Sequence, residues 1–203
     1  MAIHLVRFVL WCAATLLFRI RIEGAENIPD TGGALLVSNH ISYADAVLVG
    51  YTTPRIIRFL MWRPIYEAPL LNYFFRVLRA IPIDAAPPKA MVRALRAAHG
   101  ELISGELVAI FPEGGISQTG DVGPFERGFE RILDGTNAPV IPMYVSGLYG
   151  HPLSRCGGGP FQSWQKLWRP EATVRIGPPV HERLSPAQLR QIVAALGSTR
   201  RPE

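Results

Sequence analysis

The sequence predicts an α/β protein, with a layered, mostly parallel or mixed sheet flanked by helices and preceded by a separate N-terminal helix. Three observations carry this. Short apolar segments recur along the chain, several apolar at successive positions, as in "ALLV" at 34–37 and "LVAIF" at 107–111; strands read this way when both faces of their sheet are covered. Between them lie stretches with helical spacing, clearest in the Met91, Leu95, Ala98, Leu102 stripe. The two patterns alternate, which is the order that builds helix layers on a sheet. With 203 residues, 48% of them hydrophobic and 18% charged, the chain can bury one substantial core. One domain over 18–203 is expected, after an N-terminal helix at 1–17.

Residues 8–18 read "FVLWCAATLLF", with His4 and Arg7 before the run and Arg19 and Arg21 after it. A bilayer-spanning helix needs roughly 20 apolar residues, so this run is too short to cross. Arginines follow where a signal peptide would carry a small-residue cleavage site. An uncleaved membrane-interfacial helix is expected, with Trp11 and the arginines near headgroup depth; a buried core helix is the alternative for a run of this length. At 18–23, apolar Phe18, Ile20 and Ile22 alternate with charged Arg19, Arg21 and Glu23, the period of a half-buried strand. The stretch 24–33, with Pro29, Asp30 and three glycines, is a turn. Further strands are expected at 34–37, 56–61, 80–83, 107–111, 140–145 and 172–176. Helices are expected at about 43–51, 65–78, 89–104, 125–133 and 186–196, with a glycine loop at 157–159 and a frayed tail at 200–203.

The formal charge is +5, mostly from scattered arginines, which favours anionic partners. The chain has no basic cluster interleaved with aromatics, so it gives no sign of a nucleic-acid partner. Cys12 and Cys156 are the only cysteines, too few for a disulfide framework, and a reducing compartment is the default. His4, His99, His151 and His181 lack ligand spacing, so no metal is expected.

In "LLVSNHISYADAVLVG" an apolar run breaks at Asn39 and His40, and Asp45 follows five residues later. A helix turns about 100° per residue, so on one helix the two side chains would lie about 140° apart and could not meet. They can meet if His40 ends a strand and Asp45 opens the next helix. Ser42-Tyr43-Ala44-Asp45 has the S-x-x-D form of a capping box. A base at the C-terminal lip of a parallel strand also lies where open α/β sheets bind ligands. The plainer reading makes Asp45 a capping carboxylate only and His40 a hydrogen-bonded lip histidine.

A second motif comes at "LVAIFPEGG". Pro112 stops the strand, Glu113 follows, and Gly114 and Gly115 allow a sharp turn. Alone, Pro-Glu-Gly-Gly is an ordinary tight turn.

Together, "NHISYAD" and "FPEGG" resemble the first and third motifs, N-H-x4-D and F-P-E-G, of the glycerolipid acyltransferases, the 1-acylglycerol-3-phosphate and lysophospholipid acyltransferases. The first is met by Asn39, His40 and Asp45, the third by Phe111, Pro112, Glu113 and Gly114. "AIPIDA" at 80–85 and "VIPMYVSG" at 140–147 are similar to the second and fourth. The resemblance covers about 21–149.

It implies an acyltransferase domain over 18–203. Such a domain would move a fatty acyl group from acyl-CoA or acyl carrier protein, as co-substrate rather than cofactor, to the free hydroxyl of a lysophospholipid. It implies His40 as general base, Asp45 as the acid that orients it, and Glu113 with Gly114, Pro112 and Phe111 on the acceptor side. Glu113 would also hold the Gly114 turn. It implies membrane lipids as partners and a place at the cytoplasmic face of the inner or plasma membrane. Arg127, in "PFERGFERIL", is the candidate for a headgroup phosphate, its alternative being an exposed helical arginine. Many members have arginine where this chain has Ala85 and Ile116, and neither replacement can clamp a phosphate. A lyso-aminolipid such as lyso-ornithine lipid is therefore an alternative acceptor, and a non-catalytic lipid-binding protein on the same scaffold is a second alternative.

Overall fold

The computed structural model describes residues 2–69, 71–84, 86–157, 160–161 and 168–198. Ala85, most of the 157–159 glycine loop and the 200–203 tail lie outside the described residues. Among those described, seven strands form one sheet: β1 (Arg19–Glu23), β2 (Ala34–Ser38), β3 (Ile57–Trp62), β4 (Ile81–Ile83), β5 (Leu107–Ile110), β6 (Val140–Ser146) and β7 (Glu171–Ile176), in the order β1-β7-β6-β2-β5-β3-β4. Every neighbouring pair is parallel except β6 with β7. Strands β2 to β6 therefore run one way and β1 and β7 the other. The C-terminal ends of β2, β5 and β6 share one lip with the N-terminal ends of β1 and β7.

Both faces of the sheet are covered, which explains the unbroken apolar strands. In β2, Ala34 and Leu36 pack into one core layer while Leu35 and Val37 pack into the other, and Leu107 and Ala109 alternate with Val108 and Ile110 in β5. One layer is filled by α5 (Pro88–Ile103) through Ala94, Leu95, Ala98 and Leu102, by α6 (Gly128–Leu133) through Phe129 and Ile132, and by α7 (Pro186–Ser198) through Leu189 and Val193. The other holds Leu48 and Val49 of α2 (Asp45–Tyr51) with Phe18 and Ile28.

The N-terminal helix α1 (Ala2–Leu17) docks against α2 and β1. Val6 and Ala14 are buried, Trp11 stacks on Tyr51 with ring centroids 5.6 Å apart, and the Arg7 guanidinium donates to the Thr53 and Pro54 carbonyls. Leu5, Phe8, Val9, Leu16 and Leu17 stay exposed, so α1 is not a buried core helix. Among the described residues, no helix is long and apolar enough to cross a membrane.

Several boundaries shift by a residue or two, and three differences bear on the fold or the site. The single helix expected at 65–78 is two, α3 (Arg63–Tyr66) and α4 (Leu71–Val77), because Pro69 lacks an N–H and disfavours helix in the residue before it. The Asn72 side chain donates to the Tyr66 carbonyl across the break at 2.8 Å. Helix α2 begins at Asp45 rather than 43, and α6 at Gly128 rather than 125.

Gly147, where β6 leaves the sheet beside β7, has φ +95°, and a Cβ there would stand 1.9 Å from the Glu171 carbonyl oxygen. Left-handed backbone and a backbone clash both oppose a side chain, so Gly147→Ala should lower unfolding free energy by about 2 kcal/mol or more. Chemical denaturation of the purified chain checks this.

Candidate active site

The site grows from the ends of β2 and β5, neighbours in the sheet. Just past β2, the buried Asn39 side chain extends the ladder to β6. Its Nδ2 donates to the Val145 carbonyl at 3.0 Å and its Oδ1 accepts from Val145 N–H at 2.7 Å. The next residue is fixed by the loop after β5: His40 N–H donates to Glu113 Oε1 at 2.9 Å, and the His40 carbonyl accepts from Ser117 N–H at 2.7 Å.

The His40 imidazole is held in direction and in plane. Its Nδ1 lies 2.8 Å from Asp45 Oδ2, and its ring stacks on Phe111 with centroids 4.2 Å apart and planes 15° apart. Phe111 stacks in turn on Phe59. The Asp45 side chain is wholly buried, while that of His40 is 19% exposed. A carboxylate in such a place needs donors, and Oδ2 also accepts from Ile41 N–H at 2.6 Å and Ser42 N–H at 2.8 Å. An ionised carboxylate can only accept, so Nδ1 carries the proton and Nε2 presents its lone pair. Among the described residues Nε2 has no hydrogen-bond partner.

The expected capping box forms by half. Asp45 reaches back to Ser42 N–H, but Ser42 Oγ accepts from Ala44 N–H at 3.1 Å rather than from Asp45, and donates to the Leu153 carbonyl at 3.2 Å. Ser42 is therefore not the helix cap. It belongs to a tight turn joining two loops.

The third-motif residues divide. Phe111 and Glu113 touch His40, and Gly114, at φ +71°, closes its turn through its own N–H to the Phe111 carbonyl. Glu113 does not tie that turn; its Oε2 accepts from Gly123 N–H at 3.0 Å, so the carboxylate staples the loop after β5 to His40. The Pro112 carbonyl accepts from Glu126 N–H, one residue before Arg127. Arg127 itself is exposed and paired with Glu130 at 2.9 Å, with no contact to His40 or Asp45. Asp84 of the second motif pairs with Arg63 at 2.6 Å. Sequence reading gave no role to Ser117 or Gly123, and no local signal identifies them, since each contributes only a backbone N–H.

The sequence model of the family described as Acyltransferase matches residues 19–146. The chain belongs to that family. It is similar to the chloroplastic 1-acyl-sn-glycerol-3-phosphate acyltransferase of Arabidopsis thaliana, 28% identical over 68% of this chain and 39% of that protein. It is also similar to the 1-acyl-sn-glycerol-3-phosphate acyltransferase of Pseudomonas aeruginosa, 27% identical over 86% of this chain and 65% of that protein. The chain thus spans less than two thirds of the length of either relative. The crystal structure of the 1-acyl-sn-glycerophosphate acyltransferase of Thermotoga maritima superposes with a TM-score of 0.77 at 25% identity, covering 99% of this chain and 81% of that one. The mixed sheet and its flanking helices are the fold of that acyltransferase.

Within the family site, Glu113 is the carboxyl whose titration the fold moves. Burial pushes its pKa up, while the His40 and Gly123 N–H groups pull it back down. A raised carboxyl pKa means that the folded chain holds the proton more tightly than the unfolded chain. Its contribution is then full below the ordinary Glu value and lost as pH rises through the folded value. Glu113→Gln cannot titrate and offers one acceptor oxygen for two backbone N–H groups. At neutral pH it should cost about 1–3 kcal/mol. The wild-type advantage should widen as pH falls through that window, which urea unfolding at several pH values measures.

Proposed function

We propose that the chain is a lysophospholipid O-acyltransferase, with a lysoglycerophospholipid as acceptor and acyl-CoA or acyl carrier protein as donor. The observation that carries this is the buried Asp45 Oδ2 fixing His40 Nδ1 so that Nε2 faces outward as a base. In the proposed step, Nε2 takes the proton of the acceptor hydroxyl while its oxygen bonds to the thioester carbonyl carbon. The C–S bond then breaks, and the imidazolium returns the proton to the departing thiolate, giving ester and free thiol. Asp45 stabilises the imidazolium without taking its proton. No acyl-enzyme is needed.

The phenyl ring of Phe111 and the Glu113 staple keep the imidazole in place, with Pro112 and Gly114 shaping the acceptor side. Arg127 is the proposed phosphate contact. Its pair with Glu130 is an exposed i,i+3 pair, worth little in water and readily exchanged for a headgroup phosphate. The similarity to 1-acyl-sn-glycerol-3-phosphate acyltransferases supports a 1-acylglycerol-3-phosphate acceptor. Ile116, at a position where many members carry arginine, favours the lyso-aminolipid reading instead. A panel of lysolipids with one acyl thioester separates the two, and binding without thiol release throughout would leave the non-catalytic reading.

His40→Ala should lower acyl transfer by about 10²- to 10⁴-fold with the fold kept, read as thiol release. Asp45→Asn keeps the shape and removes the charge, and should lose most of the rate. Retained turnover in His40→Ala removes the proposed base, and an undiminished rate in Asp45→Asn leaves Asp45 a capping carboxylate only. The exposed apolar side of α1 supports a membrane-associated protein, and the cytoplasmic face is part of the same proposal. Deleting residues 1–17 should release the chain from liposomes, and undiminished sedimentation with vesicles would rule α1 out as the anchor.

A further inference from the structure

After β6 the chain turns back over the loop that holds Asp45. Ser42 and Ser154 meet in an isolated antiparallel bridge. The Leu153 carbonyl accepts two hydrogen bonds from the loop, from Tyr43 N–H at 2.9 Å and from Ser42 Oγ at 3.2 Å. On its other side the same Ser42 gives its N–H to Asp45 Oδ2. The position of Leu153 therefore bears on the turn that aims the carboxylate at His40.

One side chain holds Leu153 by its N–H. Leu153 N–H donates to His151 Nδ1 at 3.1 Å. Ser154 closes the turn by donating its N–H and Oγ to the His151 carbonyl, at 2.8 and 2.7 Å, while its Oγ accepts from Gly150 N–H. His151 is buried, and its ring sits edge-on to Phe18, with centroids 5.5 Å apart. Burial lowers the pKa of His151, which keeps the imidazole neutral, as an acceptor at Nδ1 must be. In sequence this histidine looks like a bystander because its spacing fits no metal site.

We propose that His151 is a positioning residue for the His40–Asp45 pair, acting through Leu153 and Ser42. This rests on His40 being the base. It adds a second support to the catalytic loop, opposite the Glu113 staple.

The test compares His151→Leu, His151→Asn and His151→Gln in the full chain. Asn can place an oxygen near the Nδ1 position, whereas Gln projects its amide toward the Nε2 position and Leu offers no acceptor. Leu and Gln should lose about 10- to 100-fold in kcat, the scale for a small displacement of a catalytic group, with KM for both substrates unchanged. Asn should recover most of it. Imidazole ¹⁵N spectra should show the Nδ1–H tautomer of His40 depleted in Leu and Gln and restored in Asn. The tautomer reads the strut even if the wild type moves no acyl group, an outcome that would overturn the proposed activity alone. If Leu does not fold, the Asn and Gln pair decides. Equal kcat in Asn and Gln, or a His40 tautomer unaltered in Gln, overturns the proposal.

Discussion

One oxygen governs the site. Asp45 Oδ2, with no exposure to water, receives His40 Nδ1 and the N–H groups of Ile41 and Ser42. A buried carboxylate needs hydrogen-bond donors. The three donors come from consecutive residues, so satisfying the charge dictates the path of the chain after β2. Among the described residues Oδ1 has no partner, so the anchoring falls on the oxygen facing the imidazole. That charge lies where an imidazolium needs it. The folding constraint and the chemical one are thus the same contact.

The sheet makes this contact affordable. Because β2 and β5 are parallel neighbours, the loops leaving them meet at one lip, and Glu113 can fasten to His40 across 73 residues of chain. Asn39 lends its amide to the ladder with β6 and fixes where β2 stops. The Phe111 ring then limits rotation of the imidazole, and Phe59 backs Phe111. Each hydrogen bond adds only about 1 kcal/mol net. Their joint effect is to leave His40 one orientation, as proton transfer requires.

What could be read from the sequence were features whose cause is local. Two covered faces produce "ALLV" and "LVAI", and helical geometry forbids His40 and Asp45 on one helix, so the strand end and helix start followed from spacing alone. The Ser42 error is instructive. The S-x-x-D pattern specifies which groups can bond, but the Ser42 hydroxyl is drawn to the Leu153 carbonyl, 111 residues away, and the helix starts three residues later. Pro69 was visible, yet the apolar pattern on either side suggested one helix. Asn39, Glu113 and His151 gain their significance from backbone groups that carry no side-chain signature. Spacing rules test for metals and caps, not for a histidine that holds a peptide.

The reversed strands at the sheet edge link α1 to this lip. Because β1 runs against β2, the chain leaves α1 at Leu17 and begins β1 on the side where His40 lies. Phe18, the residue between them, packs on His151. The outward apolar side of α1 and the exposed Trp62 at the end of β3 flank the same region. A bilayer interface taken up by α1, on the proposed reading, would meet the end of α1 that leads into β1 at the lip. Had β1 run in the direction of β2, the chain would have left α1 at the end of the sheet away from His40.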